Sequence, residues 1–282
     1  SPPLLQSPPS PKGRVAPMAK SSAKKPSAKP ARKESASKPG RMIYYFGATR
    51  CDGDGTMKAI IGGKGANLAQ MTKIGLPVPP GFTITTQQCI DYYTSGKKFP
   101  KGLEEEVAHY VKMLEKETGK KFGNPSSTLL VSVRSGARDS MPGMMDTILN
   151  LGLNDEAAAG LAARTGNRRF AYDSYRRLIQ MFGEVVDGIA PHRFENTLSD
   201  LKAERGVTLD TDLSADDLEL LVQQFKAIYL EAKGEEFPAD AKKQLLRAVR
   251  AVFDSWDTPR AQVYRRANEI SDEIGTAVNV VQ

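Results

Sequence analysis

The chain has 282 residues, 40% of them apolar, enough for one large or two small buried cores and too long for a mini-protein. Its formal charge of +7 is unevenly placed: residues 1–41 hold seven Lys and three Arg against the single Glu34, so the remainder sums to about −2 and is nearly neutral. Two cysteines, Cys51 and Cys89, without C-x-x-C spacing exclude a disulfide framework and argue against zinc, and no run of 18 apolar residues predicts a membrane span.

Residues 1–41 contain nine of the 18 prolines and no aromatic residue. This Lys/Ala/Pro/Ser composition cannot bury enough surface to offset the entropy of ordering, so a disordered tail is expected, serving as a solvated leader, a transit peptide or a nucleic-acid-binding arm. Met18, followed by AKSSAKK, suits an initiating methionine. Folded structure is predicted to start at Met42 with the strand MIYYF, followed by a turn at CDGDG.

A helix is predicted over residues 64–74, with Leu68, Met71 and Ile74 on its apolar face, entered from Gly62 and Gly63 and broken by GLPVPPG. FTITT reads as a strand, Thr86 as the cap of a short helix to Tyr93, residues 103–118 as an amphipathic helix and residues 128–134, TLLVSVR, as a buried strand. After Asn154 the pattern is almost wholly helical: Ala171, Tyr175, Leu178, Phe182 and Val186 share one face, and Ser214 with Asp217 forms a capping box for a helix to about Lys233. Ala241, Leu245, Val249, Val252 and Trp256 make a further stripe, and Pro259 suits the start of the next helix. TAVNVV, residues 276–281, reads as a strand with nothing after it to pair with, as if the chain were truncated there.

Two constellations could carry chemistry. In IIGGKGANLAQM the glycines allow close backbone approach, a helix N-terminus offers unpaired amides, and Lys64 adds an ammonium, which together suit a phosphate. The motif is neither a Walker A loop, since Lys58 replaces the first glycine and Gly65 follows the lysine, nor a dinucleotide fingerprint, since it ends in Leu68. A structural glycine turn with a solvated lysine has the same sequence. In LLVSVRSGARDSMPGMMDT a buried strand delivers Arg134 to a Gly- and Met-rich loop, where its fork of donors could clamp phosphate oxygens. Equally, Arg134 could pair with a structural carboxylate, Met141, Met144 and Met145 could fill a core, and Arg138 and Asp139 could be a surface pair.

The stretches GGKGANLAQMTKIGLPVPPGFTITT, LLVSVRSGARDSMPGMMDTILNLGLND, GNRRFAYDSYRRLIQMFGEVV and SWDTPRAQVYRRANEI resemble, in wording and order, the nucleotide-binding domain of the pyruvate phosphate dikinases. Phosphoenolpyruvate synthases share the general plan but carry K-N-A-S-L after the glycines and a VRSSA-type second motif. Gly65, Asn67 and the run from Ser132 to Thr147 favour the dikinase.

The resemblance implies an α+β, ATP-grasp fold. Residues 42–153 would form the first lobe, 154–235 a helical insertion, and 236–282 the start of an incomplete second lobe. It also implies that Lys64 and Arg134 are catalytic ligands of ATP, that Gly62 and Gly63 approach its phosphates, and that Gly143, Met144, Met145, Asp146 and Thr147 close over them. The family converts pyruvate, ATP and phosphate to phosphoenolpyruvate, AMP and pyrophosphate through a phosphohistidine on a separate domain, assisted by magnesium and a monovalent cation. The magnesium ligands, the phosphohistidine and the pyruvate site are expected beyond Gln282, with no metal ligand in this chain, so the piece alone is expected to be inactive. His109 and His192 lie in no phosphohistidine-like motif. The full-length protein is expected to be a homodimer without nucleic-acid or membrane partners, cytoplasmic, or plastidic if the tail is a transit peptide. The alternatives are a phosphoenolpyruvate synthase domain and a standalone nucleotide-binding module.

Overall fold

The computed structural model describes residues 40–143, 145 and 147–282; the tail expected over residues 1–41 lies outside them except for its last two residues. The chain begins with β1 (Ile43–Phe46), α1 (Lys58–Lys73), β2 (Gly81–Ile84), α2 (Thr86–Thr94) and α3 (Leu103–Thr118). Two short strands follow, β3 (Lys121–Phe122) and β4 (Thr128–Leu129), and then β5 (Val131–Ala137) and β6 (Thr147–Leu151). Helices α4 (Asp155–Thr165), α5 (Arg168–Met181), α6 (Pro191–Arg205), α7 (Ala215–Lys233), α8 (Ala241–Ser255) and α9 (Pro259–Ala267) precede β7 (Thr276–Val281).

Five strands form one sheet in the order β1-β2-β7-β5-β6, antiparallel at every step. The sequence reading leaves the strand TAVNVV with nothing after it to pair with; its partners lie upstream instead, and it is interior to the sheet. Val278 pairs with Ile84 on one side and Ser135 on the other, so residues 276–281 belong to the same sheet as the strands between Ile43 and Leu151. Local sequence could not show this, because both partners lie more than a hundred positions upstream.

Period-two alternation divides the sheet into two faces. Ile43, Tyr45, Phe82, Ile84, Val133, Val278 and Val280 enter the main core, which continues without a break through Leu178, Phe225 and Val249 of the helices. The opposite face carries Tyr44, Thr83, Ala277 and Asn279, and α1 lies across it. The expected apolar face of α1 is a second correction. Its buried residues are Ile61, Gly62, Gly65, Ala66 and Ala69, whereas Ile74 is 64% exposed. Small side chains let the helix approach the sheet too closely for Leu68 or Met71 to fit between them.

Several local signals hold. Ser214 and Asp217 form the reciprocal capping box that starts α7, and Pro259 occupies the first turn of α9. The cap of α2 is Thr85 rather than Thr86, and the stripe through Phe182 and Val186 passes from α5 into a π-helical turn, Phe182–Val186. Among the described residues no helix is long and apolar enough to cross a membrane.

Gln244 ties α8 to the end of the sheet. Fully buried, it accepts from the Gly152 amide at 3.0 Å and donates to the carbonyls of Leu153 and Pro238 at 2.8 and 2.7 Å. Gln244→Leu keeps the volume and orphans three backbone groups. It should therefore cost about 3 kcal/mol, read as a lower urea midpoint at unchanged slope; an unchanged midpoint would mean that the loops rearrange freely.

Candidate functional site

The helix α1 is broken at Gly62, whose φ of 70° and ψ of 172° belong to a region that side-chain-bearing residues avoid. One turn, residues 58–61, precedes the break, and the helix restarts at Gly63 with a new N-terminus and its unpaired amides. The break is packed against the end of β5. A Cβ on Gly62 would lie 1.5 Å from the Gly136 carbonyl oxygen, and one on Gly63 would lie 3.2 Å from that of Arg138. Gly62 is thus the fulcrum of the turn, and Gly63 faces the space beyond it.

That space is a cavity of about 500 Å³, a volume suited to a nucleotide-sized ligand. Gly63, Lys64 and Asn67 line it from the helix; residues 135–143, Met145 and Thr147 line it from β5, β6 and the loop between them. Of the site residues expected from the sequence, Gly63, Lys64, Gly143, Met145 and Thr147 line the cavity, while Gly62 supports it from beneath. Met144 and Asp146 lie outside the described residues. Met141 is buried in the main core, and Met145 packs against it while also facing the cavity.

Arg134 stands one residue before the cavity wall. It is exposed, on the face of the sheet that α1 covers, with Thr147 opposite it on β6 and Asn279 opposite it on β7. Lys64 is close enough to feel it: partial burial first, and the Arg134 charge second, hold the Lys64 ammonium below its ordinary pKa. An anion placed beside both would offset the two positive charges. Among the described residues neither has a carboxylate partner, whereas Arg138 and Asp139 pair with each other at 3.1 Å. His109 and His192 are exposed on α3 and α6 and take no part in the cavity.

Residue-type reasoning missed Ser135, Gly136 and Asn67 in the cavity wall, and Asn279, whose Nδ2 lies 2.3 Å from where a Cβ on Gly136 would be. Asn279 had a signal: an amide between valines in TAVNVV is out of place in a strand unless something requires it.

A mixed α/β scaffold that presents Gly63, a helix N-terminus and Lys64 to one cavity, with Arg134 just outside its wall, suits a phosphate-binding class of domain. The model of the family "Pyruvate phosphate dikinase, AMP/ATP-binding domain" matches residues 58–97 and 95–282, and the chain belongs to that family. It is 57% identical over 240 residues to the chloroplastic pyruvate, phosphate dikinase of Flaveria pringlei, covering 85% of this chain and 25% of that protein. It is 56% identical over 230 residues to the pyruvate, phosphate dikinase of Clostridium symbiosum, covering 81% of this chain and 26% of that one. The chain therefore spans about a quarter of the length of these relatives.

Gly62→Ala should destabilise the domain by clearly more than backbone strain alone. Gly166 supplies the comparison, because its φ is 64° and nothing lies within 4 Å of its missing Cβ. Urea denaturation should show a cost of about 1 kcal/mol for Gly166→Ala and at least twice that for Gly62→Ala. Equal costs would mean that the contact with Gly136 yields easily.

Proposed function

We propose that the chain is the ATP-binding part of a pyruvate phosphate dikinase, of ATP-grasp type with a helical insertion. The observation that carries the reading is the placement of Lys64, at the restarted N-terminus of α1, in the wall of the cavity that Gly63 and the β5–β6 loop enclose, with Arg134 one residue before that wall. In this reading ATP lays its phosphates across the restarted N-terminus of α1. Lys64 follows the transferring phosphate as a point charge, Arg134 fixes its orientation through paired hydrogen bonds, and residues 143–147 cover it. Phosphoryl transfer leaves a protein little covalent work, so holding and neutralising the phosphates is the contribution required of these side chains.

The whole protein would take ATP, pyruvate and phosphate to phosphoenolpyruvate, AMP and pyrophosphate through a phosphohistidine carried elsewhere, as a homodimer. Magnesium would neutralise phosphate charge. Among the described residues, however, no three His, Cys, Asp or Glu side chains come together, and the carboxylate in the described cavity wall, Asp139, is paired with Arg138. These residues do not fit the ion, and no step above depends on it. The acid-poor, Ser- and Lys-rich residues 1–41 suit a plastid address, as the chloroplastic names of several relatives suggest, in place of the cytoplasm.

Arg134→Lys keeps the charge and loses the fork. In the complete enzyme it should slow formation of AMP from ATP by about tenfold or more, equivalent to about 1.4 kcal/mol, while exchange between phosphoenolpyruvate and the phosphohistidine survives. Equal loss of both half-reactions, or unfolding, would make Arg134 a structural residue.

A further inference from the structure

Asn279 occupies the middle of β7 and is 1% exposed, with Thr83 opposite it on β2 and Arg134 opposite it on β5. Its Oδ1 accepts from Thr83 Oγ1 at 2.8 Å, but its Nδ2 has no hydrogen-bond partner among the described residues. A buried unpaired donor costs free energy that a valine at this position would avoid. The surroundings are shaped to the carboxamide nonetheless. A Cβ on Gly65 would lie 3.0 Å from Oδ1 and 2.9 Å from Thr83 Oγ1, and a Cβ on Gly136 would lie 2.3 Å from Nδ2. The carboxamide thus fills the gap between the restarted turn of α1, which carries Lys64, and the strand that carries Arg134.

We propose that Asn279 is a positioning residue for the polyphosphate of ATP: held by Thr83, its carboxamide sets the separation of Lys64 and Arg134 and keeps an unpaired N–H beneath Gly136 in the cavity wall. This rests on the reading that Lys64 and Arg134 take the phosphates. The unpaired donor then has a physical use, since its positive dipole end lies under the place where negative charge collects, and a preorganised dipole there needs no rearrangement on binding. Valine would pack as well and supply neither the dipole nor the anchorage to Thr83.

The test is calorimetric titration of the purified chain with ATP and, separately, with inorganic tripolyphosphate. Asn279→Ala should weaken both by about tenfold, and Lys64→Ala, costly in the parent, should add less than about threefold on the Asn279→Ala background, because misplaced partners no longer act together. Thr83→Val should weaken binding in the same direction and Thr83→Ser should restore it; this pair carries the comparison if Asn279→Ala does not fold. Full additivity of Asn279→Ala and Lys64→Ala, or a lower melting temperature with unchanged affinity of the folded protein, would overturn the proposal while leaving the phosphate reading intact. Unchanged ATP affinity in Lys64→Ala would instead sink that reading, and this inference with it.

Discussion

The backbone of Gly62 lies against the carbonyl of Gly136 with no room for a Cβ between them, and the arrangement of the site depends on that contact. It requires a glycine in a conformation other residues avoid, which breaks α1 and gives its second segment a free N-terminus. It also sets that N-terminus at the end of β5, so that Lys64, two residues past the break, comes near Arg134, two residues before the contact. A helix held further from the sheet would separate the two cations. The small residues Gly65, Ala66 and Ala69 extend the same close approach along the helix.

The sheet supplies the rigidity this approach needs. Its central strand is β7, flanked by β2 and β5, and the site face of that strand carries only Ala277 and Asn279 between its ends. Bulk on that face would push α1 away; on the other face Val278 and Val280 anchor the strand in the main core. Residues distant in sequence thus meet under the cavity, and the last strand is as much a part of the site as the glycine turn.

Part of this is legible in the sequence. The capping box at Ser214 and the glycines before Lys64 are local signals whose physics acts within a few residues, whereas the single strand expected over residues 128–134 is divided between β4 and β5, with Arg134 in the middle of β5 rather than at its end. What failed was non-local. TAVNVV was recognisable as a strand, but its place between β2 and β5 depends on pairing across the whole chain. The stripe Leu68, Met71 and Ile74 looked like a buried face because large apolar side chains usually are, yet here the demand for close approach reversed the preference and left Ile74 outside. For the same reason the parts of Gly136 and Asn279 escaped notice: Gly136 sits in the second motif without a role of its own and Asn279 in none, and each matters through what α1 lays over it. The π-helical turn at Phe182–Val186 keeps the apolar spacing of an α-helix closely enough that periodicity could not separate them.

The central claim is that Lys64 and Arg134 converge on one anion, the polyphosphate of ATP, over the break at Gly62. A crystal structure of the chain with a non-hydrolysable ATP analogue tests it most directly. The account predicts phosphate oxygens within hydrogen-bonding distance of both the Lys64 ammonium and the Arg134 guanidinium, with the Gly63 amide turned toward them. A nucleotide bound away from this cavity, or Arg134 engaged by a carboxylate while the phosphates lie elsewhere, would contradict it.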